Sequence, residues 1–171
     1  MILTSRKARQ LLSYDENSGV LVWKPRPGFR QFNTRFAGHI AGCTDPAKYV
    51  RVRIEGRLYL AHRVAWLIVH GKWPANDIDH RFGIAVGNAF ANLRSATRTE
   101  NMQNKVMASN NTSGFIGVSW AKGSFKWTAR IKVPNGKYLH LGLFETKETA
   151  AAAYAAAKRR HHPFQPIVRV A

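Results

Sequence analysis

This chain has little acid. Nine Asp and Glu residues stand against 27 Lys and Arg, giving a net charge of +18 and a pI near 11.0. That imbalance points to a polyanionic partner without choosing among DNA, RNA and an anionic membrane. Cysteine is scarcer still. A single Cys43 excludes an intramolecular disulfide and any cysteine-rich zinc centre, so no structural zinc is expected. Cys43 itself is expected to be a small buried apolar side chain. Long apolar runs are missing too. The longest, AAAAYAAA from Ala150 to Ala157, is eight residues, and VAWLIV from Val64 to Val69 is six, both far short of the roughly 20 that a membrane span needs. The first residues show neither the apolar run nor the small-residue cleavage site of a secretory signal. A soluble protein of a reducing compartment is expected.

What is present argues for order. Apolar residues make up 45% of the 171, with five Trp and nine Phe, enough bulk for a packed core. The length suits one ordinary domain or two small ones. Basic residues run along the whole chain, interleaved with strand-like aromatics, and so predict folded basic faces in preference to a basic tail.

Thr4 caps a predicted short helix bearing Ala8, Leu11 and Leu12, and YDENSG (Tyr14 to Gly19) is a turn before the strand GVLVW. From Pro25 to Gly42 the sequence is basic, aromatic and irregular and reads as a loop that meets a partner. Tyr49, Val50, Val52 and Ile54 alternate with Arg51 and Arg53, Glu55-Gly56 turns the chain, and Leu58 and Leu60 return it. Ala61 to Val69 reads as a helix. RFGIAVGNAFANL, after His80, reads as a loop, and Leu93 to Ala96 as a strand. Thr97 and Glu100 form a capping-box pattern at the head of a helix. Ala108 to Ser113 is polar and turn-prone. FIGVSW, KWTARIKV and KYLHLG then form three strands, and a helix capped by Thr146 carries Glu148 near its start and Lys158, Arg159 and Arg160 near its end.

Two of the nine acids fall within NDIDH, as Asp77 and Asp79, followed directly by His80. Neighbours on a strand face opposite ways. At a strand end both can still border one cleft, one binding a metal and the other handling a proton. Asn92 follows His80 by twelve residues and Asn101 by twenty-one. Taken singly, each has an ordinary reading: turn residue for Asn92, helix surface for Asn101, hydrogen-bonded core for His62.

Taken together, DIDH, NAFANLRSAT and RTENMQN resemble the HNH nuclease motif, a strand–loop–strand–helix unit that grips one divalent metal, over roughly residues 49–104. The resemblance implies that His80 is the general base, that Asp79 and Asn101 ligate the metal, and that Asn92 holds the loop and orients His80. It implies one divalent ion, Mg²⁺ first and Mn²⁺ second. Residues 114–162 resemble the APETALA2-type DNA-binding domain, whose sheet face enters the major groove. On this resemblance Trp120, Lys122, Lys126, Arg130, Lys132 and His140 are the DNA-binding candidates. Lys126, Thr128, Arg130 and Lys132 alternate with Trp127, Ala129, Ile131 and Val133, so the second set is expected to pack on the helix.

The whole is similar to phage-type HNH homing endonucleases with a C-terminal APETALA2-like domain. The expected fold is α+β: a strand-rich lead-in and ββα-metal module over residues 1–108, a linker at 109–113, a three-stranded antiparallel sheet plus helix at 114–162, and a tail at 163–171. The expected partner is double-stranded DNA, with no membrane and no small-molecule cofactor. The protein is expected as a monomer or weak dimer in the cytoplasm of a bacterial or phage-infected cell. One departure stands out. Phe82, Ile84 and Gly87 occupy loop positions that are polar in that family. Two alternatives follow: a DNA-binding protein with a weakened nuclease module, or a basic RNA-binding protein.

Overall fold

The computed structural model describes residues 2–104 and 107–165. Its contacts divide the chain into two units, Met1–Ala96 and Thr97–Ala171. No helix among the described residues is long and apolar enough to cross a membrane.

The first unit begins with α1 (Ser5–Leu11), capped by the Thr4 hydroxyl, which accepts from the Lys7 N–H. It runs directly into β1 (Leu12–Tyr14), which pairs antiparallel with β2 (Leu21–Trp23). Next come α2 (Arg30–Phe36), β3 (Cys43–Thr44), β4 (Val50–Ile54) and β5 (Arg57–Leu60), the three strands lying in the order β3-β4-β5. Alternation decides their faces: Val52 and Ile54 are buried while Arg51 and Arg53 are exposed. Helix α3 (Ala61–His70) ends on Gly71 in the left-handed conformation. It joins two cores. Val64 and Leu67 pack with Leu11, Leu12, Leu21 and Val52, whereas Ala65 packs with Ile78 and Leu93 of the hairpin formed by β6 (Asp77–His80) and β7 (Leu93–Ala96).

Two expectations are corrected in this unit. The stretch from Pro25 to Gly42, read as loop, contains α2. That helix fully buries no residue and lacks a side-chain cap, so the helical spacing of Phe29, Phe32 and Phe36 is obscured by Pro25, Pro27 and Gly28 just ahead of it. It is fastened instead by Asn33, whose amide donates to the Arg26 carbonyl and accepts from the Arg26 N–H, and by Phe32 edge-on to Trp23. Cys43, expected inside, is exposed on the two-residue β3, where so short a strand packs neither side chain.

The second unit opens with α4 (Arg98–Gln103), which carries the complete capping box: Thr97 Oγ1 accepts from Glu100 N–H and Glu100 accepts from Thr97 N–H. The polar stretch after it is folded in part, since the buried Ser113 hydroxyl donates to the Val118 carbonyl. Strands β8 (Val118–Ala121), β9 (Lys126–Lys132) and β10 (Tyr138–Phe144) form an antiparallel sheet in the order β10-β9-β8. Helix α5 (Lys147–His161), capped by Thr146, lays Ala150 and Tyr154 on Val118, Ala129 and Ile131, with Phe115, Trp127, Val133 and Phe144 around them. Gly117 has φ +76° and lies against the Tyr154 ring, leaving no room for a Cβ. Lys158, in the last turn of α5 as its sequence position implies, is buried at 2% exposure. Of the tail, residues 166–171 lie outside the described residues.

Candidate active site

Strand β6 delivers Asp79 and His80 as consecutive residues, both buried, at 5% and 6% exposure. Across the ladder Asp79 faces Arg94 and His80 faces Leu93. Directly opposed residues share a face, and Arg94 uses that register: its Nε and Nη2 both donate to Asp79 Oδ2, at 2.9 and 2.8 Å. A carboxylate offers about four lone-pair sites, so an arginine on one oxygen does not by itself exclude a cation. The chemistry of a buried hard-oxygen donor fits a hard divalent ion better than a soft one. Among the described residues no three His, Cys, Asp or Glu side chains gather in metal-binding range, so a site here would draw on amide oxygen, water or substrate oxygen.

The segment between His80 and Asn92 holds two 3₁₀ turns, Ile84–Val86 and Phe90–Asn92. Asn92 is 2% exposed and clamps this segment from inside. Its Oδ1 accepts from the Phe82 N–H at 2.7 Å, and its Nδ2 donates to the Gly83 and Gly87 carbonyls at 3.0 and 2.8 Å. Its main-chain carbonyl accepts from the Arg81 N–H at 2.7 Å. Asn92 thus fixes the main chain next to His80. A second asparagine reaches the imidazole itself: Asn88 Oδ1 lies 2.9 Å from His80 Nε2.

His62 of α3, read as an ordinary core residue, is 4% exposed and stands with its ring edge-on to His80, centroids 5.0 Å apart. Tyr49 closes the group against both rings. Burial first, then the charges of His80 and Arg63, push the His62 pKa down to about 4, so this imidazole is neutral at physiological pH.

The loop is also held from the N-terminal side. The Tyr14 hydroxyl donates to the Asn88 carbonyl at 2.6 Å, and the Phe90 N–H donates to the Glu16 carbonyl at 2.7 Å. Burial, with the carboxylates of Glu16 and Asp15, raises the Tyr14 phenol well above its ordinary pKa and keeps it a donor. The turn is shaped by Asp15, whose Oδ1 accepts from the Asn17 and Ser18 N–H groups.

Asp79, His80 and Asn92 are therefore together in the first unit, while Asn101 lies half-buried on α4, in the second. Sequence spacing missed Asn88, Arg94, His62 and Tyr14. The Asp79–Arg94 pair was within reach of a register argument, since the two strands fix which residues oppose.

In the second unit Thr128, Arg130 and Lys132 share the face away from α5. His140, opposite Arg130, places its Nε2 3.0 Å from the Thr128 hydroxyl. Arg130, Lys132 and His140 are exposed. Lys126 pairs with Glu145 at 2.7 Å, and Lys122 sits in the exposed turn after β8. Trp120 opposes Trp127 across the strands, its ring edge-on at 5.2 Å, on the side of the sheet opposite Arg130.

Residues 59–103, which span α3, β6, β7 and α4, match the HNH endonuclease family. The chain is 31% identical over 104 residues to protein 3.8 of Escherichia phage T7, an alignment covering 60% of this chain and 85% of that protein. The chain belongs to the family of phage T7 protein 3.8 and contains an HNH endonuclease domain. No solved structure matches it. The protein 3.8 relationship carries no stated activity. Asp79, His80 and Asn92 all fall inside the HNH match, as does Asn101, whereas Tyr14 and the turn that follows it lie outside.

Proposed function

We propose that this protein is a metal-dependent endonuclease that hydrolyses phosphodiester bonds of double-stranded DNA, guided by an APETALA2-like sheet domain at residues 114–162. The observation that carries the reading is the pairing of Asp79 and His80 at the end of β6, inside the HNH match, with Asn92 clamping the loop that follows. His80 takes the proton from the attacking water. An imidazole suits that work at neutral pH because its ordinary pKa is near 6.5. Asn92 holds the backbone beside it, so that the ring need not be ordered at the moment of reaction. The HNH resemblance names Asp79 and Asn101 as ligands of a divalent cation, Mg²⁺ or Mn²⁺; in the first unit Asp79 would hold it, and its charge would stabilise the phosphate oxygens and the leaving 3′ oxygen. The expected products carry a 5′-phosphate and a 3′-hydroxyl.

The exposed Arg130 and Lys132, with His140 beside them, suit a duplex groove. The guanidinium can read guanine edges, and the ammonium grips phosphate. The test is nicking of supercoiled plasmid with Mg²⁺ or Mn²⁺. Wild type is expected to cut, and His80→Ala is expected to lose cutting while keeping its DNA affinity. Cutting by His80→Ala would remove His80 as the base.

A second reading, a DNA-binding protein whose nuclease module no longer cuts, draws on two observations. Arg94 already neutralises Asp79, and the loop exposes Phe82 at 62% and Val86 at 56%. Firm duplex binding without metal-dependent nicking by wild type would favour it.

A further inference from the structure

We propose that the β1–β2 turn is a positioning element of the His80 centre, with Tyr14 and Asn88 as the residues that transmit its hold to the imidazole. For its catalytic consequence this rests on the nuclease reading; the contacts themselves do not. Asn88 Oδ1 only accepts hydrogen bonds. At 2.9 Å it therefore selects the His80 form with the proton on Nε2, and the lone pair of the neutral ring is then on Nδ1.

An asparagine in an irregular segment cannot do this unless its own backbone is fixed, because each free residue costs about 1–2 kcal/mol to order. The Asn92 side chain reaches Gly87, and its N–H donates to the Ala89 carbonyl. The Asn88 carbonyl between them is held from residues 14–19. The Tyr14 hydroxyl holds the Asn88 carbonyl, and the Glu16 carbonyl holds the Phe90 N–H. Gly19, with φ +75°, lies flat against the Asn88–Ala89 peptide, where a Cβ would overlap both residues. Asn88 is thereby held on the C-terminal side of its Cα from a segment some seventy residues earlier in the chain, and on the N-terminal side by Asn92 through the Gly87 carbonyl. A merely structural turn would lower stability when disturbed. A positioning turn also changes the state of one imidazole.

The experiment compares full-length wild type, Tyr14→Phe, Asn88→Ala and Asn88→Asp by ¹⁵N-correlated NMR of the histidine rings at mildly alkaline pH and by cleavage kinetics. Wild-type His80 is expected in the Nε2–H form. Tyr14→Phe and Asn88→Ala are expected to admit the Nδ1–H form, and Asn88→Asp, which keeps an acceptor oxygen, to restore Nε2–H. Turnover is expected to fall roughly tenfold in Tyr14→Phe and about 100-fold in Asn88→Ala, with KM for DNA unchanged. An unaltered His80 spectrum in folded Tyr14→Phe and Asn88→Ala overturns the proposal, as does a loss confined to KM. Should wild type fail to cut with either metal, the nuclease reading falls, and the ring spectra still decide the role of the turn.

Discussion

His62 and His80 sit ring to ring, and burial keeps His62 from sharing a proton with its neighbour. Because its folded pKa is about 4 against an unfolded value near 6.5, the unfolded chain binds more protons between those values. Stability therefore rises with pH across that window and is lost as pH falls through it. The loss is at most ~3 kcal/mol at its lower edge. Urea denaturation at a series of pH values is expected to show this slope in wild type and a flatter one in His62→Gln. Asn92 offers a second test. Asn92→Ala leaves the Phe82 N–H and two glycine carbonyls without their partner and is expected to destabilise the first unit by about 3 kcal/mol, together with a fall in cutting. Spacing singled out Asp79, His80 and Asn92, which the fold brings into one unit, because a motif is a statement about sequence distance. Asn88 was not singled out, since an Asn between Gly87 and Ala89 looks like any turn residue until the chain folds back on it. Tyr14 lay hidden for the same reason, as it acts across tertiary space.

Elements that declare themselves by local chemistry were read correctly. The Thr97–Glu100 box at α4 and the Thr146 cap of α5 each depend on neighbours a few residues apart, whereas the alternation expected along β9 holds from Ala129 to Lys132 and fails at Thr128, which is buried. Thr97→Ala is expected to cost about 1 kcal/mol, measured as a lower melting temperature. Helix α2 shows the opposite case: Phe32 and Phe36 lie one turn apart on it, but with no fully buried residue, no side-chain cap and two prolines just ahead, the stripe is easily lost in a loop reading. The packing of α5 on its sheet also depends on a residue chosen for lacking a side chain. Gly117→Ala pushes a methyl into the Tyr154 ring at a positive φ and is expected to destabilise the second unit by about 1–3 kcal/mol, read by urea denaturation followed by tryptophan fluorescence.

Over the whole molecule the charge of +18 makes salt the natural probe. Duplex affinity is expected to fall steeply between low and physiological salt, because phosphates neutralised by Lys and Arg release their counterions. Lys132→Ala is expected to weaken binding to all duplexes alike and to reduce the salt slope by about 1. Arg130→Ala is expected to blunt sequence preference more than overall affinity. Preference for RNA over duplex DNA in direct competition would count against the nuclease reading. The turn at residues 15–19 carries a consequence for anyone who works with the chain. Exposed hairpin tips are where tags, linkers and circular permutation are usually tolerated. Here Gly19 is pressed against the peptide of Asn88 and Ala89, so an epitope spliced into this tip would wedge the two segments apart, whereas the tip at Asn135–Gly136, where a Cβ on Gly136 meets nothing, is the place to put a label.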